Sequence, residues 1–376
     1  MSRARSVLRV CLLAAAVLCA SGFRLPQSLS AGAAPANGDG GRGGGGRSRD
    51  AVLNERPIIG ILSQPGPPAP EGSSYIAASY AKWIEAAGAR VIPIFFDETQ
   101  EELREKFGVI NGLLLPGGGA NLTPGHPFYD AASTLVNMAI KANDQGDYFP
   151  VHGTCLGLET LSIIVSGNYS LLSDMDAEDA PAPLLYTDVA EDSHFISSLP
   201  PSVVRNLQNT PIAMENHMHG VLPQAYEENP AFKRFFKVLS LSLDKKGLPY
   251  ISTLEARQWP TFLNIPHSPE AVVMGQEVAN FFVREARRNK HAPRDEMQED
   301  GMLLYQYKPE FTGRHRSTGG EEEDFEQTYI FSGPAARLAA NAAKAAGAAA
   351  RAAKAAAAGA GAAPAAGGAA GMAAAR

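Results

Sequence analysis

The stretch "FPVHGTCLGLETLSIIVSG", Phe149 to Gly167, decides how the chain folds. A short apolar run meets Gly153, then Cys155, then Gly157, and a longer apolar run follows. Such a pattern reads as a buried strand turning sharply into a helix. A side chain at that corner projects from the end of a parallel sheet, where α/β proteins bind their ligands. The flanking glycines are expected to serve a strained backbone and close approach by a substrate. The thiol of Cys155 would sit at a helix N-terminus, whose dipole favours thiolate. The amide of Leu156 would face an acyl oxyanion, with a second donor from Gly117 or Gly118 in the "PGGG" turn. The bland reading is a buried structural cysteine, the common fate of a free thiol. The glycines and the strand-end position favour a nucleophile.

Reading outward, strands and helices alternate. "RPIIGILSQP" (56–65) is a short apolar run closed by proline, and "YIAASYAKWIEAAGA" (75–89) reads as a helix with Ile76, Tyr80, Trp83 and Ile84 at helical spacing and Gly88 as its stop. "RVIPIFF" is a second strand, "TQEELREKFGVI" an amphipathic helix, and "NGLLLPGGG" a third strand ending in glycines. A long helix over "FYDAASTLVNMAIKANDQG" leads back to the cysteine corner. This alternation predicts an α/β fold: a doubly wound, mostly parallel sheet with helices on both faces, in a single domain.

The ends read differently. Residues 1–22 combine Arg3, Arg5 and Arg9 with a short apolar run and small residues, the pattern of a secretory signal peptide. Two of the three cysteines, Cys11 and Cys19, fall inside it, which would leave Cys155 without a disulfide partner on an oxidising route. Residues 23–54 are a Gly/Ala/Arg-rich flexible linker, 55–333 the catalytic domain, and 334–376 an Ala/Gly-rich low-complexity tail. The formal charge of −6, shifted further negative once the leader arginines are set aside, comes with no basic aromatic patch, so nucleic acid is not an expected partner. No second apolar run is long enough to span a bilayer.

The blocks "PIIGILSQP", "SSYIAASYAKWIEAAGARVIPI", "INGLLLPGGG", "FPVHGTCLGLE" and "LLYQYKPEFTG…QTYIF" resemble the gamma-glutamyl hydrolases, a branch of the class I glutamine-amidotransferase-like cysteine hydrolases. The resemblance runs from about Arg56 to Phe331. It implies an enzyme of the vacuole, lysosome or extracellular space that removes glutamates from folylpoly-gamma-glutamates through a thioester. The family's nucleophile falls on Cys155 and its oxyanion glycines on the "PGGG" turn. Its substrate-side histidine falls in "MENHMHGV", where His217 is the better match. Glu159 matches a family glutamate one helical turn past the nucleophile.

One block departs from the family. Its acid–base histidine stands in a motif reading roughly Gln-Trp-His-Pro-Glu, whereas this chain reads "YISTLEARQWPTFLNIPHSPEAVVM", with no histidine between Trp259 and Pro260. The catalytic histidine is therefore unknown. Two readings stay open: an active hydrolase whose natural transcript carries a further stretch between Pro260 and Asn264, or a gamma-glutamyl-folate binding pseudoenzyme. The match of the neighbouring strands to the active family favours the first.

Nothing calls for a cofactor or metal. His217 and His219 lack further ligands at metal spacing, and "LPGGG" lacks the lysine and hydroxyl of a phosphate loop. His152 reads as a strand histidine satisfied by a backbone carbonyl, and "GEEEDFE" as a solvated loop. The sequons at Asn121 and Asn168 are candidate N-glycan sites, and the oligomeric state stays open, a homodimer included.

Overall fold

A computed structural model describes residues 53–257, 268–313, 325–339, 342 and 347. The expected leader, nearly all of the linker, the Trp259–Asn264 gap and most of "GEEEDFE" lie outside the described residues. The chain divides into two compact units, Met1–Phe331 and Ser332–Arg376, and the site lies in the first.

Four strands make the parallel sheet: β1 (Ile58–Leu62), β4 (Arg90–Ile94), β5 (Gly112–Leu115) and β6 (Val151–Gly153), in the order β4-β1-β5-β6. Successive side chains in a strand point to opposite faces, so a sheet covered twice needs apolar residues at nearly every position. Ile58, Leu62, Ile92, Ile94, Leu113 and Leu115 enter one core, and Ile59, Ile61, Val91 and Leu114 enter another on the opposite face. The first core is closed by α2 (Gln100–Phe107), α3 (Pro127–Asp144) and α4 (Leu156–Ser166); the second by α1 (Ala78–Ala86) and α9 (Pro269–Ala286). The expected doubly wound architecture is present.

Local signals explain the elements. Helix α2 buries only Leu103 and Phe107, one turn apart, and is held at its start by a full capping box between Thr99 and Glu102. Helix α1 begins later than the spacing predicts. Ser74–Ala77 is strand β3, pairing antiparallel with β2 (Gln64–Pro65) and β13 (Gln327–Phe331), and β13 also pairs with β12 (Pro309–Phe311). Tyr75 and Ile76 therefore belong to a strand. The boundary is hidden in sequence because Ala77 offers no side-chain cap.

The later half of the unit is antiparallel. Strand β7 (Leu172–Ala182) pairs with β9 (Ala213–Val221), and β10 (Phe236–Leu243) pairs with both β8 (Leu185–Tyr186) and β11 (Pro249–Ala256). Short helices α5 (His194–Ser198), α6 (Pro201–Asn209), α7 (Pro223–Glu228) and α8 (Pro230–Phe235) connect them, and α10 (Glu296–Met302) follows α9. Among the described residues, β6 is paired on one edge by β5, and β11 on one edge by β10. Val151 of β6 and Ala256 of β11 border a partly open pocket of about 30 Å³, lined also by Ala139, Asn143, Leu161 and Phe235.

Candidate active site

Cys155 sits between β6 and α4 with φ 51° and ψ −113°, a conformation that side-chain-bearing residues avoid. The neighbouring turns enforce it. Thr154 N–H donates to Leu115 O at 3.0 Å, and Gly157 N–H donates to Thr154 O at 2.8 Å. The glycines serve packing rather than substrate access. A side chain on Gly157 would place its Cβ 2.0 Å from Leu115 O, and one on Gly153 would lie 2.6 Å from Gly157 O. Helix and sheet cross here in backbone contact, which fixes where the thiol points.

Two amides face the sulfur, those of Leu156 and Gly118. Gly117 is otherwise engaged, since its N–H donates to the Tyr80 hydroxyl at 2.9 Å. Gly118 is therefore the amide left as a second oxyanion donor. Its φ of 153° keeps it to glycine, and a Cβ there would fall 2.6 Å from the buried Gln64 side chain. Tyr80 from α1 and Gln64 from β2 thus shape the turn. Sequence reading gave both only a place in an element.

The thiol's charge state contradicts the dipole expectation. Burial pushes the Cys155 thiol up to about 12, and the carboxylates of Glu159 and Glu215 add to the rise; the two amides pull the other way and are outweighed. A thiol raised this far stays neutral through pH 7. Alkylation by iodoacetamide is thus expected to be slow at neutral pH and to climb only well above the range of an ordinary cysteine, about 8.5. A rate already at its plateau at pH 7 would show a preformed thiolate instead.

The remaining candidates separate cleanly. Glu159, on the first turn of α4, is buried, and burial pushes its carboxyl up to about 7 while the His217 charge draws it back. His217 lies on β9, where alternate residues share a face, so Glu215 stands beside it. Its Nε2 is 3.1 Å from Glu215 Oε2 and its Nδ1 2.7 Å from His219 O. Burial opposes a charged ring, but the Glu215 carboxylate, the His219 carbonyl and Glu159 outweigh it and raise the His217 pKa. Glu215 also accepts from Ser242 Oγ at 3.2 Å and Ser252 Oγ at 3.0 Å. Sequence reading missed Glu215, although its place two residues before His217 on a strand was a usable signal.

His152 is remote from this chemistry. It lies on the opposite face between Trp83 and Phe282, with Nε2 3.1 Å from the Thr154 hydroxyl, and burial lowers its pKa to about 3. His219 faces outward, 3.7 Å from Asp174. Asn121 and Asn168 are both exposed.

A cysteine on a strained strand-to-helix corner, two amides at its sulfur and a carboxylate–imidazole pair beside it form the arrangement of a cysteine hydrolase. Residues 57–229 match the model of the family described as Peptidase C26. The chain is 34% identical to gamma-glutamyl hydrolase B of Dictyostelium discoideum, over 75% of this chain and 84% of that one. It is 35% identical to gamma-glutamyl hydrolase 1 of Arabidopsis thaliana, over 77% and 87%. Identity to the gamma-glutamyl hydrolase of Homo sapiens is 36%, over 74% and 90%. The corner that holds Cys155 falls inside the matched residues, and the chain belongs to the gamma-glutamyl hydrolase family of cysteine peptidases.

Proposed function

We propose that this protein hydrolyses the gamma-glutamyl bonds of folylpoly-gamma-glutamates, with Cys155 as the nucleophile. The observation that carries the reading is the Cys155 corner, where positive φ and the amides of Leu156 and Gly118 converge on one sulfur. The sulfur attacks the side-chain carbonyl carbon of the gamma-linked glutamate, and the carbonyl oxygen takes up negative charge facing the two amides. Departure of the amine leaves a thioester, which water then opens. His217, held toward its charged form by Glu215, offers positive charge to a carboxylate of the glutamyl chain.

Purified protein incubated with pteroylpenta-gamma-glutamate tests the proposal. Shortened folates and free glutamate are expected by chromatography, with turnover lost after alkylation of Cys155. Binding of the folate without any cleavage would establish the pseudoenzyme.

Passage through the secretory pathway belongs to the same proposal, supported by the N-terminal apolar run and the exposed sequon asparagines Asn121 and Asn168. A mobility shift on endoglycosidase treatment is the expected result. A protein of unshifted mass, recovered with residues 1–22 intact, would rule that route out.

A further inference from the structure

Three glycines in a row, Gly117, Gly118 and Gly119, follow β5 and its closing proline. Glycine backbones take left- and right-handed conformations with similar ease, so such a turn has no intrinsic shape. The oxyanion site needs one shape, because a donor stabilises developing charge only when it is already in place. Two amides compete for that role. A Cβ built on Gly117 would lie 3.2 Å from Cys155 Cβ, so Gly117 adjoins the nucleophile, yet the Gly118 amide is the one that faces the sulfur. Something outside the turn has to choose between them.

Among the described residues, one side chain hydrogen-bonds to the backbone of residues 117–119: the Tyr80 hydroxyl, which accepts from Gly117 N–H at 2.9 Å. Gln64 Nε2 donates to Pro116 O at 3.4 Å. Pro116 C=O and Gly117 N–H belong to one planar peptide unit, so α1 and β2 grip that plane from its two ends. The hydroxyl is a firm anchor. Tyr80 is buried in the second core with Ile76, Ala81 and Ile84, and Trp83 ties α1 to α9 by donating Nε1–H to Gly275 O at 2.7 Å. Burial, with the nearby Cys155 charge adding to it, raises the Tyr80 pKa far above the ordinary value. The group stays a neutral phenol, whose oxygen accepts a hydrogen bond at every working pH.

We propose that Tyr80 is the positioning residue of the oxyanion site: its hydroxyl takes the Gly117 amide out of play and so aims the Gly118 amide at the substrate's carbonyl oxygen. The inference rests on the hydrolase reading above. With the preceding peptide plane held, only the Gly117 dihedrals separate it from the Gly118 amide, and the Gln64 side chain, 2.6 Å from a Cβ built on Gly118, limits where that amide can go. Without the hydroxyl, Gly117 N–H becomes a buried donor with no partner, and the plane turns to find one. The Gly118 amide then spends part of its time away from the oxygen it should meet.

Tyr80→Phe in the full chain is the test, since it removes one oxygen and keeps the ring. For pteroylpenta-gamma-glutamate, kcat and kcat/KM are expected to fall together by about 10–10²-fold with KM unchanged, short of the 10²–10³-fold that deleting an oxyanion donor costs. An aldehyde analogue, with CHO in place of the scissile amide, takes the Cys155 sulfur onto carbon and the thiol proton onto oxygen, which leaves that oxygen at the two amides. Its inhibition constant is expected to rise by the same factor. Tyr148→Phe is the control: its hydroxyl donates to Glu285 at 2.6 Å, and its loss is expected to lower the urea midpoint while kcat and aldehyde affinity hold. Hydrogen exchange in the parent needs no variant, and the Gly117 amide is expected to exchange slowly and the Gly118 amide fast. A Tyr80→Phe enzyme with the parent's kcat and aldehyde affinity overturns the proposal, as does one that changes KM alone, or a parent whose Gly117 amide exchanges as fast as that of Gly118. A parent enzyme with no turnover at all overturns the hydrolase reading instead, and the exchange rates still decide whether Tyr80 holds the turn.

Discussion

Cys155→Ala is expected to abolish gamma-glutamyl hydrolysis, a loss of about 10⁴–10⁶-fold in kcat, without unfolding the protein. The cause is chemical. Alanine keeps the Cβ and the backbone path but removes the only atom that can form the thioester. What survives is the pull of the Leu156 and Gly118 amides on a bound carbonyl, which can assist attack by water and leaves only a small residual rate. Alanine also inherits the strain, since it sits at the same φ of 51°. Cys155→Gly should therefore be equally inactive yet more stable than the alanine variant, by about 1 kcal/mol once glycine's extra chain entropy is set against relief of the backbone. Paired urea melts and turnover assays check both parts. Full turnover by the alanine variant would end the nucleophile assignment, and a glycine variant less stable than the alanine one would mean that the corner holds no strain.

Gly157→Ala is expected to do almost as much damage without touching a reacting atom. Its Cβ would lie 2.0 Å from Leu115 O and 2.8 Å from Leu115 C, both of them backbone. Strand β5 is hydrogen-bonded on both sides, by β1 and β6, and cannot withdraw. Helix α4 has to move instead, and the Leu156 amide moves with it. Loss of one oxyanion donor typically costs 10²–10³-fold in kcat, and forced overpacking about 1–3 kcal/mol or more of a total near 5–15 kcal/mol. A lower urea midpoint together with a fall in kcat of at least 10²-fold is the expected outcome. An unchanged midpoint and kcat would mean that helix and strand are not in backbone contact in solution.

The parallel sheet was legible because both of its faces are covered. Strands such as "IIGIL" and "GLLL" need apolar side chains at every position that is not glycine, and runs so short, bounded by proline and glycine, fit a doubly covered strand better than a helix. The antiparallel half was not legible for the opposite reason. Strand β7, "LSDMDAEDAPA", carries four acidic residues and a proline and alternates only from Asp174 to Glu178, where Met175 and Ala177 turn inward; the rest is a strand because β9 pairs with it. The candidate nucleophile, by contrast, announced itself, because a lone cysteine between two glycines at a strand end is placed for chemistry more than for packing. Its charge state did not. The helix dipole belongs to α4 alone, whereas burial and a second carboxylate, Glu215, arrive from a strand far along the chain. The choice of Gly118 over Gly117 likewise turned on the hydroxyl of Tyr80, a residue whose sequence spacing said only that it faced a core.

The pocket of about 30 Å³ between β6 and β11 has a mechanical consequence. Its walls are mostly apolar, Val151, Ala256, Ala139, Leu161 and Phe235 among them, and the amide of Asn143, the polar side chain that lines it, is already engaged by Ala139 O and the Phe149 backbone, so a water inside would find few partners. Empty space is the part of a folded protein that hydrostatic pressure can remove, because unfolding eliminates it and shrinks the system. Leu161 belongs to α4, the helix whose first amide faces the sulfur. Compression of that space bears on the nucleophile's own helix, so turnover is expected to respond to pressure.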